Sequence, residues 1–140
     1  MADWERAFPL FEKHGASATF FICREIGSNE VAFARRALSM GHEVGLHGFK
    51  HRNADDAVFV PAAQQLTSLL IGNVIMGENY HTDIEDIMRA MRRAGERAET
   101  LSIVSHGIRP DARGISMKTE WLERMLSEAN ACGVVVRGVR

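Results

Sequence analysis

Short apolar runs alternate along this chain with segments whose apolar residues recur at helical spacing, and few folds accommodate such an order. The predicted helices cover residues 4–14, 28–40, 83–94 and 116–132, and the predicted strands cover residues 18–23, 42–46 and 100–105. Parallel strands need long crossover connections, which are usually helices. The alternation therefore predicts an α/β fold in which helices lie outside a parallel sheet or barrel.

Residues with strong positional preferences mark the ends of the predicted helices. Glycines placed to end three of them are Gly15, Gly41 and Gly133. Predicted amino-terminal caps are Ser28, Ser116 and the capping-box pair Thr82 and Glu85. Pro9 lies inside the first helical pattern and is expected to kink it, because proline lacks the N–H group that an interior position donates.

Three stretches give less definite patterns. Residues 18–23 are largely apolar, which is typical of a strand covered on both faces. Residues 53–80 show no clear period and are interrupted by Pro61 and Gly72, so only a helix at residues 62–70 is predicted there. A run of three valines, residues 134–136, follows the last predicted helix.

Size and charge narrow the possible functions. The chain has 140 residues, of which 46% are hydrophobic and 25% are charged, and this predicts a single globular domain over residues 1–140. A net charge of -1 gives no long-range field that would draw the chain onto nucleic acid or an anionic membrane. Nucleic acid is therefore not an expected partner.

The sequence shows neither a membrane-spanning segment nor a secretory signal. The longest apolar stretch, residues 66–76, is too short to cross a bilayer. The amino terminus lacks a basic segment followed by an apolar run and a small-residue cleavage site. Cys23 and Cys132 lie far apart and form no CxxC spacing, so two packed thiols are expected and the compartment stays unknown.

Three of the six histidines, His42, His47 and His51, lie close together in sequence. His47 and His51 are four residues apart, at and just beyond the predicted end of a strand, where a turn can aim both imidazoles at one point. Neutral imidazole offers the lone pair that zinc accepts, so a divalent metal site is one interpretation. Solvated loop histidines are the other. His42 starts the strand, and His14 and His81 lie at helix ends, where structural roles suffice.

His106 follows the strand predicted at residues 100–105. An imidazole changes charge near neutral pH, and at this position it could donate a proton to a leaving amine in amide hydrolysis. A loop histidine bonded to a neighbouring backbone group fits equally well. Arg109, Pro110 and Asp111 come next. Arg109 could orient a carboxylate or a sugar, and Asp111 could pair with it or with His106, although a plain turn also accounts for them.

Three segments occur in a specific order: AFPLFEKHGASATFFI, then GHEVGLHGFKH after one helix, then LSIVSHG further along the chain. Together they resemble the polysaccharide deacetylase family, also called the NodB-homology or carbohydrate esterase four domain. The similarity is good over residues 4–52, fair over residues 83–136 and poor between them.

This resemblance implies a distorted (β/α) barrel that removes N- or O-acetyl groups from an acetylated polysaccharide or oligosaccharide such as chitin oligomers, peptidoglycan or xylan. It also implies that His47 and His51 are metal ligands, with zinc the expected divalent metal, and that His106 is the general acid. Gly48 stands where the metal motif of the family usually has Ser or Thr, so a hydroxyl that can brace the loop is missing.

The sequence departs from the family pattern in two places. The family begins with a strand that ends in paired aspartates, one a metal ligand and the other a general base, and that strand is expected to precede Met1. Asp3 lies at the start of the helix that follows this motif in relatives, so it is not assigned either role. The span between His51 and His106 is short for the middle strands of the family. An incomplete barrel that lacks its first strand is therefore expected.

Without the third ligand and the base, the isolated chain is expected to be a weak or inactive deacetylase. Two alternatives stay open: a noncatalytic carbohydrate-binding or regulatory remnant of the same fold, and an amidohydrolase acting on a small non-sugar amide. Barrel edges left uncovered by missing strands favour pairing between two copies, so a homodimer is a further hypothesis.

Overall fold

The computed structural model describes residues 1–22, 26–46, 73–75, 83–114 and 116–139. The chain divides into two compact units, which are described separately. The first unit comprises Met1, Ser17–Leu69 and Arg137–Arg140, and the second comprises Ala2–Ala16 and Leu70–Val136. The single domain expected over residues 1–140 stays a prediction. The helix predicted at residues 62–70 lies outside the described residues.

Helices and parallel strands alternate through the described residues. The helices are α1 (Ala2–Glu5), α2 (Phe8–Lys13), α3 (Ser28–Ser39), α4 (Ile84–Arg97) and α5 (Thr119–Ala131). The strands are β1 (Thr19–Ile22), β2 (Glu43–Leu46), β3 (Asn73–Ile75), β4 (Ser102–Val104), β5 (Ile108–Arg109) and β6 (Met117–Lys118). They form three two-stranded parallel sheets, β1 with β2, β3 with β4 and β5 with β6. A mixed helix and strand fold with parallel pairing is thus confirmed.

The core of the first unit is built around Phe20 of β1. Its ring meets the ring of Phe33 in α3 edge-on, with the centroids 5.5 Å apart. It meets the ring of His42 in the same manner, at 5.3 Å. Ala37 is fully buried one turn beyond Phe33 and lets the helix approach the strands closely. The helix that connects the parallel strands therefore also supplies the apolar surface against which they pack.

Side chains along β1 alternate between buried and exposed positions. Phe20 and Ile22 are each 5% exposed, whereas Phe21 is 45% exposed and points to the opposite face. The expectation that this strand is covered on both faces is therefore wrong for residues 19–22. The ring of Phe21 lies across Gly45, its register partner on β2, where a Cβ atom would come within 2.8 Å of the ring. Because Gly45 has no side chain, the ring of Phe21 can occupy this space.

The end of the described chain returns to the start of β1. The N–H of Val139 donates to Oγ1 of Thr19 at 2.7 Å, and the same hydroxyl donates to Oε2 of Glu43 at 2.8 Å. The N–H of Gly138 donates to Oγ of Ser17 at 3.3 Å. These bonds connect the amino ends of both strands of the first unit to the carboxyl-terminal segment.

In the second unit, helices α2, α4 and α5 pack together. The core-facing residues of α4 recur at helical spacing: Ile84, Ile87, Met88, Met91 and Ala94. The buried residues of α5 are Leu122, Met125, Leu126 and Ala129. These stripes confirm the sequence pattern for both helices. Among the residues that the structure describes, no helix combines the length and the apolar character needed to cross a membrane.

Ion pairs between α4 and α5 fix how the two helices lie. Arg124 pairs with Glu85 at 2.6 Å, and Arg92 pairs with Glu128 at 2.7 Å. Because residue numbers rise in the same direction in both pairs, the two helices run parallel, as successive helices of a β/α fold do. Exposed pairs of this kind add at most about 1 kcal/mol each, so the buried apolar stripes of the two helices contribute most of the stabilisation.

Two of the predicted amino-terminal caps are wrong. Helix α3 begins after Gly27, whose N–H donates to the side chain of Glu30 at 3.0 Å, so Ser28 is the first helical residue and not the cap. Helix α5 begins after Lys118, and its cap makes no side-chain hydrogen bond. Ser116 lies too early because the short strand β6 comes between it and the helix.

Helix α4 is capped by Asp83 and not by the predicted Thr82. The Asp83 carboxylate accepts the N–H of Glu85 at 3.3 Å, whereas Thr82 lies outside the described residues. The helix also runs three residues past Ala94, the predicted end. It stops at Ala98, which adopts the left-handed conformation with φ of 52°.

The first predicted helix is two short helices with the break before proline. Residues Arg6 and Ala7 separate α1 from α2, and Pro9 lies in the first turn of α2, where its missing N–H costs no hydrogen bond. The expected kink at Pro9 is therefore wrong. The predicted terminal glycines are confirmed: the φ angles are 61° at Gly15, 80° at Gly41 and 69° at Gly133.

The strands are shorter than predicted, and three were not predicted. β3 lies in the segment whose sequence shows no period, and it pairs with β4 in parallel register from Asn73 opposite Ser102 to Ile75 opposite Val104. β5 and β6 have two residues each. The valine run at residues 134–136 is neither helix nor strand.

Burial along β1 predicts different costs for two neighbouring phenylalanines. Phe20→Ala should lower the free energy of unfolding by about 3–5 kcal/mol, because it leaves a cavity in the core. Phe21→Ala should cost about 1 kcal/mol or less, since its ring is nearly half exposed. Urea denaturation of both variants measures the difference. Equal losses would show that the two faces of β1 are covered alike.

Candidate functional site

The carboxyl ends of β1 and β2 lie at one edge of their sheet, since the strands run parallel with Ile22 opposite Leu46. The residue that follows Leu46 in sequence is His47. Parallel α/β sheets bind ligands outside the carboxyl ends of their strands. The position of His47 directly after β2 is therefore compatible with a ligand role. His47 and His51 themselves lie outside the described residues.

The chemistry of this histidine pair fits a divalent metal. Imidazole nitrogens are donors that zinc accepts readily, and a catalytic zinc site needs three protein ligands and an open position. Within the described ranges, no group of three His, Cys, Asp or Glu side chains could hold a metal ion. The residues that the structure describes therefore do not form a complete metal site by themselves.

His42 has a structural role at the other end of β2. It is 3% exposed, its ring packs against Phe20, and its Nδ1 accepts the N–H of Ala18 at 3.2 Å. Burial lowers the pKa of His42 below its ordinary value of 6.5. The expectation that His42 lies at the start of this strand is confirmed, since it directly precedes β2.

His106 lies in a short turn that follows β4. Val104 ends the strand, and His106 is exposed two residues later. Ser105 closes this turn: its Oγ donates to the carbonyl oxygen of Gly107 at 2.7 Å and accepts the N–H of Gly107 at 3.4 Å. An exposed imidazole just beyond the carboxyl end of a parallel strand can exchange protons with a bound molecule.

The far side of the turn is packed closely. Gly107 is buried, and its carbonyl oxygen also accepts the N–H of Met117 at 2.8 Å. A Cβ atom at Gly107 would lie 3.0 Å from Oγ of Ser116. The absence of a side chain therefore lets the turn approach the segment that leads into β6.

Arg109 forms an ion pair that the sequence did not indicate. Its Nε lies 3.0 Å from Oδ2 of Asp3, and Oδ1 of the same carboxylate lies 3.4 Å from Arg6. Of the alternatives for Asp111, the plain turn agrees with the structure: Asp111 is exposed in the turn after β5, and the described ion pair of Arg109 is with Asp3. Asp3 is thus held by two guanidinium groups of its own unit.

His14 lines a groove of about 240 Å³ in the second unit. Its Nδ1 lies 3.3 Å from the amide nitrogen of Asn130, while its Nε2 is buried with no hydrogen-bond partner among the described residues. The apolar part of the groove is formed by Leu126 and Val134 among others. His14 therefore packs against α5, and simple solvation does not describe it.

Cys132 is a free thiol at the end of α5. Its Sγ lies 3.8 Å from a carboxylate oxygen of Glu128. Burial, with that carboxylate nearby, raises the pKa of the Cys132 thiol. A raised pKa disfavours the reactive thiolate, which supports the expected packing role. Cys23 lies outside the described residues.

One family of known proteins is similar to this chain over most of its length. A family model for polysaccharide deacetylases matches residues 2–119. The chain belongs to the polysaccharide deacetylase family. The resemblance drawn from its three sequence segments is thereby confirmed, and the family is one of hydrolases that act on carbon–nitrogen bonds. The matched range includes the histidine pair and His106.

A curated relative has a shorter match. The chain is 36% identical over 47 residues to the uncharacterized protein YlxY of Bacillus subtilis (strain 168). That match covers 34% of this chain and 15% of the length of YlxY. No solved structure gives a significant match. The family model is therefore the comparison that supports a function.

Two features of the candidate site were not found from sequence. Ser105 lies at the end of the strand predicted over residues 100–105, although a Ser hydroxyl can also bond to the backbone two residues further along the chain. The pairing of Asp3 with Arg109 left no local signal, since the two residues are far apart in sequence.

Burial of His42 predicts a pH dependence of stability. Burial lowers the pKa of His42 in the folded state, so protonation of its ring favours the unfolded chain. The stability that this contributes is fully present above a pH of about 6.5 and is lost as the pH falls through the lowered pKa of the folded state. His42→Gln should therefore lose less stability than the wild type on acidification. Urea midpoints at about pH 7.5 and about pH 5 measure this, and identical losses in both proteins would contradict it.

Proposed function

We propose that this chain is a metal-dependent deacetylase domain that removes acetyl groups from an acetylated polysaccharide or oligosaccharide. The family match over residues 2–119 carries the proposal. The sequence position of His47 directly after β2 and the exposure of His106 beyond β4 support it. The architecture that we propose for this domain is a distorted (β/α) barrel.

In this proposal His47 and His51 hold the metal ion, most simply zinc. Each supplies one neutral imidazole nitrogen, so both must be deprotonated for the ion to bind. When bound, the ion polarises the acetyl carbonyl and lowers the pKa of coordinated water towards about 7. The two histidines therefore determine metal affinity, and they do not themselves transfer a proton.

His106 acts as the general acid. Hydrolysis of an acetamide leaves an amine nitrogen, which must receive a proton as the carbon–nitrogen bond breaks. An imidazole can carry that proton near neutral pH, and the exposure of His106 leaves it accessible to a substrate. Such an acid contributes about 10²–10⁴-fold to the rate.

The activity of residues 1–140 tested alone is expected to be low. The residues that match the family roles are two metal ligands and one acid, whereas a third ligand and a general base are not assigned. Catalytic groups act as a unit, so the loss of some members removes most of the rate that the complete set supports. We therefore expect a kcat well below about 1 s⁻¹, the lower end for typical enzymes.

The test separates metal binding from proton transfer. Acetate release from N-acetylated chitin oligomers and bound zinc are measured for the wild type, His47→Ala and His106→Ala. His47→Ala should lose bound zinc and acetate release together. His106→Ala should keep its zinc and lose about 10²–10⁴-fold in kcat. Each variant is the control for the other, because each removes one imidazole.

Other outcomes identify the alternatives. Glycan binding that a chelator leaves unchanged, with no acetate release, would replace the proposal with a noncatalytic carbohydrate-binding domain. Hydrolysis of small non-sugar amides without acetate release from glycans would make the chain an amidohydrolase of another substrate class. Acetate release at the wild-type rate by His106→Ala would remove His106 from the mechanism.

A further inference from the structure

The turn that carries His106 is closed by a single side chain. The Ser105 hydroxyl spans the turn and bonds to both polar backbone groups of Gly107, at 2.7 Å to its carbonyl oxygen and at 3.4 Å to its N–H. His106 is the residue between them, so both of its peptide groups lie inside this closed loop. Such a side-chain-to-backbone bond restricts the backbone dihedral angles of the enclosed residue.

Gly107 provides a firm anchor for this hydroxyl. It is buried, and its carbonyl oxygen accepts a second hydrogen bond, at 2.8 Å, from the N–H of Met117. The strand pair β5 and β6 begins at the next residue, with Ile108 opposite Met117. Ser116 lies close to Gly107: a Cβ atom added at Gly107 would be 3.0 Å from the hydroxyl oxygen of Ser116. One end of the turn is therefore fixed by main-chain pairing and by packing.

The other end of the turn follows β4 directly. Ser105 is half-buried and comes immediately after Val104, the last residue of the strand. The imidazole of His106, which lies between these two ends of the turn, is exposed. The direction in which the ring leaves the backbone follows from the conformation of the turn, and the Ser105 hydroxyl bonds across that turn.

We propose that Ser105 is a positioning residue that holds His106 in the orientation needed for proton donation. This inference rests on the proposed function, in which His106 is the general acid. A proton donor must lie within hydrogen-bond reach of the leaving atom, and a displacement of about 1 Å can cost about 10²-fold in rate. In this role Ser105 acts through the backbone of His106, because its hydroxyl bonds to both polar backbone groups of Gly107.

The experiment compares three variants of the full chain. Ser105→Ala removes the hydroxyl, whereas Ser105→Thr keeps one at the same position. Ser39→Ala is the matched control, because the Ser39 hydroxyl donates to the carbonyl oxygen of Arg36 at 2.8 Å in a helix of the first unit. The three variants separate loss of the turn-closing bond from loss of an ordinary hydroxyl-to-backbone bond.

Two readouts are expected to change in Ser105→Ala. The amide of Gly107 should exchange with solvent about tenfold faster, and the ¹⁵N order parameter of His106 should fall from about 0.85 to below about 0.6. For acetate release, kcat should fall about tenfold with KM unchanged, because the substrate still binds. Ser105→Thr and Ser39→Ala should match the wild type in both readouts.

Each further outcome has a separate meaning. Wild-type exchange and order in Ser105→Ala would show that the hydroxyl does not fix the turn and would overturn the inference. An altered turn with unchanged kcat, in a protein whose His106→Ala variant is inactive, would overturn the positioning role while the proposed function stands. Activity that does not depend on His106 would overturn the proposed function, and the catalytic role of Ser105 with it.

Discussion

Parallel pairing of short strands is the constraint on which the rest of this protein depends. A parallel pair cannot be joined by a tight turn, so the chain between β1 and β2 must cross back, and it does so as α3. The same pairing puts the carboxyl ends of both strands at one edge. Residues that follow those ends are therefore the ones that can meet a ligand, within each unit taken by itself. His47 follows β2, and the turn with His106 follows β4.

Burial separates the histidines of this chain by role. The ring of His42 packs against Phe20 and accepts a hydrogen bond from the N–H of Ala18, so it is part of the core of the first unit. His14 packs against Asn130 in the second unit. His106 is exposed, and its backbone lies within the turn that Ser105 closes. Only the last of these three environments leaves an imidazole accessible for proton transfer.

Long helices were predictable because many residues in each of them follow the same pattern. The apolar stripe of α4 extends from Ile84 to Ala94, and the glycines that end α2, α3 and α5 adopt positive φ angles that most other residues avoid. The order of helices and strands follows from the same patterns. The family could be identified because its motifs combine strand ends with histidines at fixed spacing.

Short or competing features were not predictable. β3 has three residues within a segment without periodicity, so no pattern distinguishes it until β4 pairs with it. The predicted amino-terminal caps differ from the observed ones because a neighbouring residue can cap a helix equally well, as Asp83 does in place of Thr82. The sequence pattern predicts Pro9 inside a helix, where it would cause a kink. In the structure it lies in the first turn of α2, where proline loses no hydrogen bond. Contacts such as Asp3 with Arg109 depend on the folded chain and have no local signature.

The proposed metal site depends on His47 and His51 binding one ion. Zinc-edge X-ray absorption of the zinc-loaded chain can detect these ligands, with His47→Ala/His51→Ala as the comparison. We expect imidazole nitrogen neighbours at about 2.0–2.1 Å from zinc, which disappear in the double variant. An unchanged spectrum in that variant, or sulfur neighbours at about 2.3 Å, would contradict it.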